Sequence, residues 1–190
     1  MRNIRNSIYN VWIIALVGEL MKYSHITKNY FMRVFLLRHA HTAKALGDTS
    51  DFEREIDERG YSQLKELNQF LTENFKKTTF QVCCSPAQRT KTTYEIIESS
   101  IKVIEKTFAN ELYLPSREGL LKFLWNYKQA TDDVLLISHN NGISDLASYL
   151  LNEPISLPTC GLLVINFEGI DNLTEISKGL GILEQSRFPN

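Results

Sequence analysis

One repeated pattern constrains this chain more than any other: a short apolar run that stops abruptly in polar, chemistry-bearing residues and is followed by a helical segment. Val34-Phe35-Leu36-Leu37 runs into Arg38-His39, and Val82-Cys83-Cys84 runs into Ser85-Pro86-Ala87-Gln88-Arg89. Val134-Leu135-Leu136-Ile137 runs into Ser138-His139-Asn140-Asn141-Gly142. Strands spaced by helical segments imply a mainly parallel sheet with helices on both faces. The expected fold is therefore α/β, a three-layer α/β/α sandwich.

The segments between the runs fit that expectation. From Gly60, the spacing of Leu64, Leu67 and Leu71, with Phe75 on the adjoining stripe, predicts an amphipathic helix that covers one sheet face. Residues 80–84 form the next strand. Ser85 as N-cap, with Pro86 at the first helical position, puts Arg89 in the opening turn of a helix that continues through Tyr94, Ile96 and Ile97. Leu120, Leu121, Leu124 and Trp125 mark another covering helix, after which Asp132-Asp133 leads into the third run. Asn140-Asn141-Gly142 makes a tight loop, and Ile143, Leu146, Ala147, Leu150 and Leu151 line a short helix after it. A last strong strand covers residues 162–167. Residues 42–55, with Gly47, Asp48, Ser50, Asp51 and Arg54, read as a polar surface loop that passes the mouth of the first strand.

Composition sets the limits. A chain of 190 residues with 43% hydrophobic residues buries one proper core, which favours a single domain. With 21 Lys and Arg against 22 Asp and Glu, the formal charge of -1 leaves no general basic field for nucleic acid or an anionic membrane, so any anion site is local. Cys83 and Cys84 sit side by side on a strand and point to opposite faces, so with Cys160 they make no disulfide framework. They read as small core residues in a reducing, cytoplasmic setting. His25, His39, His41 and His139 are scattered and no Cys/His set has zinc spacing, so neither metal nor cofactor is expected.

The first 31 residues read as an extension ahead of a domain at 32–190, with Met21 and Met32 as alternative starts. Arg2 and Arg5 precede Val11-Trp12-Ile13-Ile14-Ala15-Leu16-Val17, a run too short to span a bilayer and without a small-residue cleavage site after it. A signal peptide or interfacial anchor is the competing reading.

Open α/β sheets place ligands at the C-terminal tips of their strands, where this chain gathers Arg38-His39, Arg89 and His139. Guanidinium forks suit the oxygens of a phosphoryl group while an imidazole attacks phosphorus. To attack, His39 must be neutral, which nearby cations favour, and its other ring nitrogen should donate to a backbone carbonyl. Singly, His39 or His139 reads more readily as a hydrogen-bonded structural histidine, and Arg89 as an ordinary helix-surface arginine. Their convergence at three strand tips favours a phosphate site. His41, on a solvent-facing loop, needs no role.

At these residues the chain resembles the histidine phosphatase superfamily, with its phosphoglycerate mutase-like fold, and within it the small bacterial phosphohistidine phosphatases of the SixA type. The resemblance runs from about Met32 nearly to the C-terminus. It is carried by Leu37-Arg38-His39-Ala40, by Asp51-Phe52-Glu53-Arg54 ending at Arg59-Gly60, and by Cys84-Ser85-Pro86 with Arg89-Thr90. Ser138-His139-Asn140 with Gly142, and Pro158-Thr159-Cys160-Gly161, complete the set.

The resemblance implies that His39 is the nucleophile that becomes phosphorylated and that Arg38, Arg89 and His139 clamp the phosphoryl oxygens. Arg54 corresponds to the additional loop arginine of the phosphohistidine subgroup, and Glu111 falls where larger members carry a proton-donating acid. His41 and Asn141 depart from the family pattern, which bears on substrate choice rather than chemistry. Arg89 to His139 holds Glu111, one helix and one strand, which leaves no room for a large lid insertion. The implied activity is a cofactor-independent phosphatase acting through a phosphohistidine on His39. Its expected partner is a phosphorylated histidine-phosphotransfer protein in phosphorelay signalling, with a small phosphate ester as the alternative and a non-catalytic phosphate-binding module as a third reading.

Overall fold

The computed structural model describes residues 31–44, 50–128 and 133–189. The N-terminal stretch through residue 30, Gly47 and Asp48 of the polar loop, and Asp132 lie outside the described residues. Six strands form one sheet: β1 (Phe31–Arg38), β2 (Thr79–Cys84), β3 (Lys102–Phe108), β4 (Asp133–Ser138), β5 (Leu162–Glu168) and β6 (Ile182–Arg187). Their order is β3-β2-β4-β1-β5-β6. The first four in that order run parallel, while β5 is antiparallel to β1 and β6 to β5.

Helices α1 (Glu58–Phe75) and α2 (Gln88–Ile97) cover one face, α3 (Arg117–Asn126) and α4 (Gly142–Leu151) the other. The period of two along a strand explains this split. Phe35 and Leu37 of β1 pack with Leu64, Leu67, Leu71 and Phe75 of α1 and with Tyr94 and Ile97 of α2. Val34 and Leu36 face Leu120 and Leu124 of α3 and Ile143, Leu146 and Leu150 of α4. Because β1 and β4 lie inside the sheet with helices above and below, every residue of their runs is buried, which is why each run is apolar without alternation. Each such side chain contributes about 1.5–3 kcal/mol of burial. Phe35 adds edge contacts to Phe75 and Phe80, with ring centroids 5.0 and 4.8 Å apart.

Cys83 and Cys84 fall in opposite cores, and with Cys160 they are free and buried. Burial pushes the Cys83 and Cys160 thiols up to about 12, which keeps them protonated and inert. Among the described residues no helix is long and apolar enough to cross a membrane.

Three local expectations are corrected. Ser85 does not cap α2, which begins at Gln88 with Ala87 at the N-cap, because the Ser85 hydroxyl is drawn to a histidine described below. The first helix starts ahead of the Leu64 stripe, at Glu58, because the Asp57 carboxylate caps it by accepting the Gly60 N–H at 2.9 Å. Trp125 is half-exposed rather than core, its indole N–H donating to the Ile176 carbonyl at 2.9 Å.

Register decides where the chemistry gathers. Arg38 pairs with Ser138 and Cys84 with Ile137, so β1, β4 and β2 end at one edge of the sheet. The loop after β4 packs there against the 115–116 turn so closely that a Cβ on Gly142 would lie 2.1 Å from the Pro115 carbonyl oxygen. Only glycine admits that approach.

Candidate active site

A cleft of about 290 Å³ opens at this edge, lined by Arg38, His39, Arg54, Arg89 and His139, with His41, Thr42, Asp51, Leu114, Asn140 and Thr159 completing the wall. The structure therefore brings five of the six expected site residues together. Glu111 is the one it leaves out: it lies exposed on a single 3-10 turn, Asn110–Leu112, and does not line the cleft.

His39 follows β1 directly, and its backbone N–H donates to the Ser138 carbonyl at 3.2 Å, which ties the two histidine loops together. Its ring is 7% exposed. Nδ1–H donates to the Ala40 carbonyl at 2.8 Å, so the lone pair sits on Nε2, to which the Arg89 Nε–H donates at 3.3 Å. Burial first, then the charges of Arg89, Arg38 and Arg54, pushes its pKa down to about 3. The ring is a neutral imidazole with a fixed tautomer.

His139 is 1% exposed, and its ring centroid lies 5.1 Å from that of His39. Its Nε2 shares a 2.7 Å hydrogen bond with the Ser85 hydroxyl. Ser85 Oγ also accepts the Ala87 N–H at 3.4 Å, and a ring proton on Nδ1 lets the hydroxyl donate to Nε2. That Nδ1 is buried with no partner, as is the Nε of Arg38, whose Nη1 donates to the Leu157 carbonyl at 2.8 Å. Two unmet buried donors on residues of one cleft are what an anion site requires. Burial, His39 and Arg89 push the His139 pKa down to about 3.

Arg89 is 2% exposed, and its guanidinium donates through Nη2 to the Asp51 carboxylate at 3.0 Å and through Nη1 to the Asp51 carbonyl. Arg54 donates to the other Asp51 oxygen at 3.1 Å and to Thr42 Oγ1 at 2.6 Å, and the Tyr113 hydroxyl donates to Asp51 at 2.9 Å. Burial alone would raise the Asp51 carboxyl, but these bonds and the Arg89 charge hold it down at about 2. The cleft thus carries three guanidinium groups and one ionised carboxylate. Sequence reasoning gave Ser85 and Asp51 no site role and did not single out Tyr113. Each lies tens of residues from its partner, and no local spacing marks them.

A larger hollow of about 800 Å³ involves Arg117, Tyr149 and Lys178 together with Glu118, Asp145 and Glu153. It holds no imidazole and mixes both signs of charge, so the chemistry belongs to the smaller cleft. Among the described residues no three or more His, Cys, Asp or Glu side chains come together as a metal-holding group.

The family model of the histidine phosphatase superfamily (branch 1) matches residues 34–124, a span that holds Arg38, His39, Arg54 and Arg89. Sequence match and fold likeness agree on one architecture, the histidine phosphatase fold. A protein assigned as the phosphohistidine phosphatase SixA of Agrobacterium tumefaciens superposes with a TM-score of 0.70 at 22% identity, over 83% of this chain and 98% of that one. Its counterpart from Nakamurella multipartitia gives 0.69 at 19% identity, over 84% and 96%. A mycobacterial glucosyl-3-phosphoglycerate phosphatase gives 0.52 at 14% identity, over 81% and 97%. At these identities the likeness is one of fold. A comparison with curated proteins gives no match.

This histidine phosphatase fold keeps two imidazoles uncharged, and that has a cost in acid. Both titrate near 6.5 when unfolded and near 3 when folded, so between those values the unfolded state binds more protons and stability falls as pH falls. The slope reaches about 1.4 kcal/mol per pH unit for each histidine. Asp51 adds a loss in the same direction from 3.8 down to about 2. Urea unfolding is expected to show a lower midpoint at pH 5 than at pH 7, with a shallower decline in His139→Asn. Equal midpoints for the wild type would show that neither ring is held neutral.

Proposed function

We propose that this protein is a phosphatase that works through a covalent phosphohistidine on His39, and that its substrate is a phosphohistidine displayed on a protein domain in cytoplasmic phosphorelay signalling. One observation carries the reading: the Ala40 carbonyl takes the Nδ1 proton of His39, which leaves a neutral Nε2 in a cleft lined by Arg38, Arg54, Arg89 and His139.

The chemistry follows from that arrangement. A phosphoryl group in transfer spreads charge over three oxygens, so catalysis consists of in-line positioning and charge neutralisation. The guanidinium groups and the His139 Nδ1–H receive the oxygens. Nε2 of His39 attacks phosphorus as the bond to the leaving group breaks, and water then attacks phosphohistidine, releasing inorganic phosphate and the free imidazole.

The leaving group narrows the substrate. Among the described residues no carboxylic acid in the cleft can protonate an alkoxide, because Asp51 is held ionised and Glu111 lies outside. A departing imidazole needs less help than an alkoxide. Between β3 and β4 the described chain holds a single 3-10 turn and α3, with no large insertion among the described residues, which suits a histidine presented on a folded surface. The fold likeness to proteins assigned as SixA supports the same substrate class. Likeness to the glucosyl-3-phosphoglycerate phosphatase supports a second reading, hydrolysis of small phosphate esters.

Steady-state kinetics on the full-length protein separate the two. A phosphorylated histidine-phosphotransfer domain is expected to give a kcat/KM at least ~10²-fold above those of sugar phosphates, on the scale set by an alkoxide's being a poorer leaving group than an imidazole. The reverse order would establish the ester reading instead.

A further inference from the structure

We propose that His41, held in place by Asp57, carries the proton for both half-reactions at His39. This inference rests on the phosphatase reading above and assigns it a residue that the family pattern does not supply.

Among the cleft-lining side chains, the arginines stay protonated throughout, and Asp51 is held ionised. His39 is the attacking group, and His139 spends Nε2 on Ser85 and Nδ1–H on the anion. Thr42, Asn140 and Thr159 are not acids in this range. His41 remains, and it is built as a proton carrier. Its Nδ1–H donates to the Asp57 carboxylate at 2.7 Å, while the second carboxylate oxygen accepts the Gly60 N–H at 2.9 Å as the cap of α1. Its backbone N–H donates to Gln63 Oε1 at 2.9 Å, and Gly60 packs so closely that a Cβ there would lie 2.3 Å from the His41 carbonyl oxygen. The first turns of α1 thus fix both ring and backbone, and no described residue takes a hydrogen bond from Nε2. An imidazole oriented through Nδ1 by a carboxylate presents Nε2 as acid or base.

The protons balance over the cycle. In the first step the His39 Nε2–P bond forms and the bond from phosphorus to the leaving atom breaks, with the Nε2 proton of the His41 imidazolium passing to that atom. In the second, water forms the new P–O bond, its proton goes to His41 Nε2, and the His39 Nε2–P bond breaks. His41 is again an imidazolium and His39 again neutral.

The test uses full-length protein, rapid quench and two aryl phosphates, p-nitrophenyl phosphate and phenyl phosphate. His41→Asn keeps an N–H for Asp57 while removing the proton-carrying nitrogen. It is expected to lose ~10²-fold or more in the phosphorylation rate with phenyl phosphate and far less with p-nitrophenyl phosphate, whose leaving group needs no proton. Because hydrolysis slows as well, acid-labile phosphate should accumulate on His39 with a nitrophenolate burst. Asp57→Asn, which leaves the imidazole present but unheld, should show the same split with a smaller loss. It replaces the first variant if that one unfolds at a lower temperature than wild type. Equal losses with both esters, or wild-type rates with both, overturn the assignment of His41 while wild type still forms phosphoenzyme. Wild type that forms none removes the phosphatase reading itself, and this inference with it.

Discussion

Replacing His39 by alanine is expected to reduce turnover by roughly 10⁴-fold or more, the scale on which removing a covalent nucleophile acts, and to abolish acid-labile phosphate on the protein. The prediction has two parts because the two readouts report different things. Turnover would also fall if His39 were only a ligand for the phosphoryl group, but an alanine variant would then still be labelled through another side chain. The geometry favours His39, since His139 already bonds Ser85 through Nε2 and the His41 ring is held by Asp57 outside the arginine cluster's contacts with His39. Rapid quench of wild type and variant with a radiolabelled substrate checks both parts. A variant that retains label, or turns over within tenfold of wild type, rules out His39 as the nucleophile. The fold should survive the change, because the ring's bond within its own loop is a single contact, to the neighbouring Ala40 carbonyl.

Arg89→Ala is expected to lower kcat by about 10²–10³-fold, the usual effect of deleting one preorganised charge-stabilising donor. Here the loss has a second component. Arg89 holds the loop at Asp51 through its guanidinium and donates to the Nε2 of His39, so its removal loosens both the anion clamp and the approach to the nucleophile. Burial remains the chief cause of the low His39 pKa, and the loss of one nearby cation moves it back upward without restoring its ordinary value. Stability should fall by about 1–3 kcal/mol, the cost of unmade hydrogen bonds to a buried group, since the carboxylate side of the pair remains partly solvated. Arg89→Lys keeps the charge but not the planar fork, so it should recover much of the stability and little of the rate. Vanadate binding by calorimetry, with urea unfolding, separates clamp from scaffold: unchanged vanadate affinity in Arg89→Ala would show that the guanidinium does not touch the anion.

The central sheet was legible because its strands are buried on both faces and therefore apolar without interruption. The edges were not. β3 exposes Lys102, Glu105 and Lys106 and β6 exposes Glu184, so neither carries an apolar run, and charge on an outer strand is how a sheet avoids pairing with a neighbour. The strand-tip residues could be read because each stands immediately after a run or one helical turn beyond it. Ser85 was misread for a physical reason: a serine before a proline is a sound local cap signal, and only the tertiary structure shows that the hydroxyl serves the imidazole of His139. Asp51 and Tyr113 are 62 residues apart and meet through one hydrogen bond that no periodicity announces. His41 looked like a solvent-facing loop residue because its partner is the cap of a helix 16 positions away.

The carboxylate of Asp51 acts as a resident counter-ion inside the arginine fork. An arriving dianion that takes the same guanidinium hydrogens has to push it aside, which weakens entry. After hydrolysis the tethered carboxylate competes with the liberated orthophosphate for that fork at high effective concentration, so the contact that taxes capture also speeds product departure.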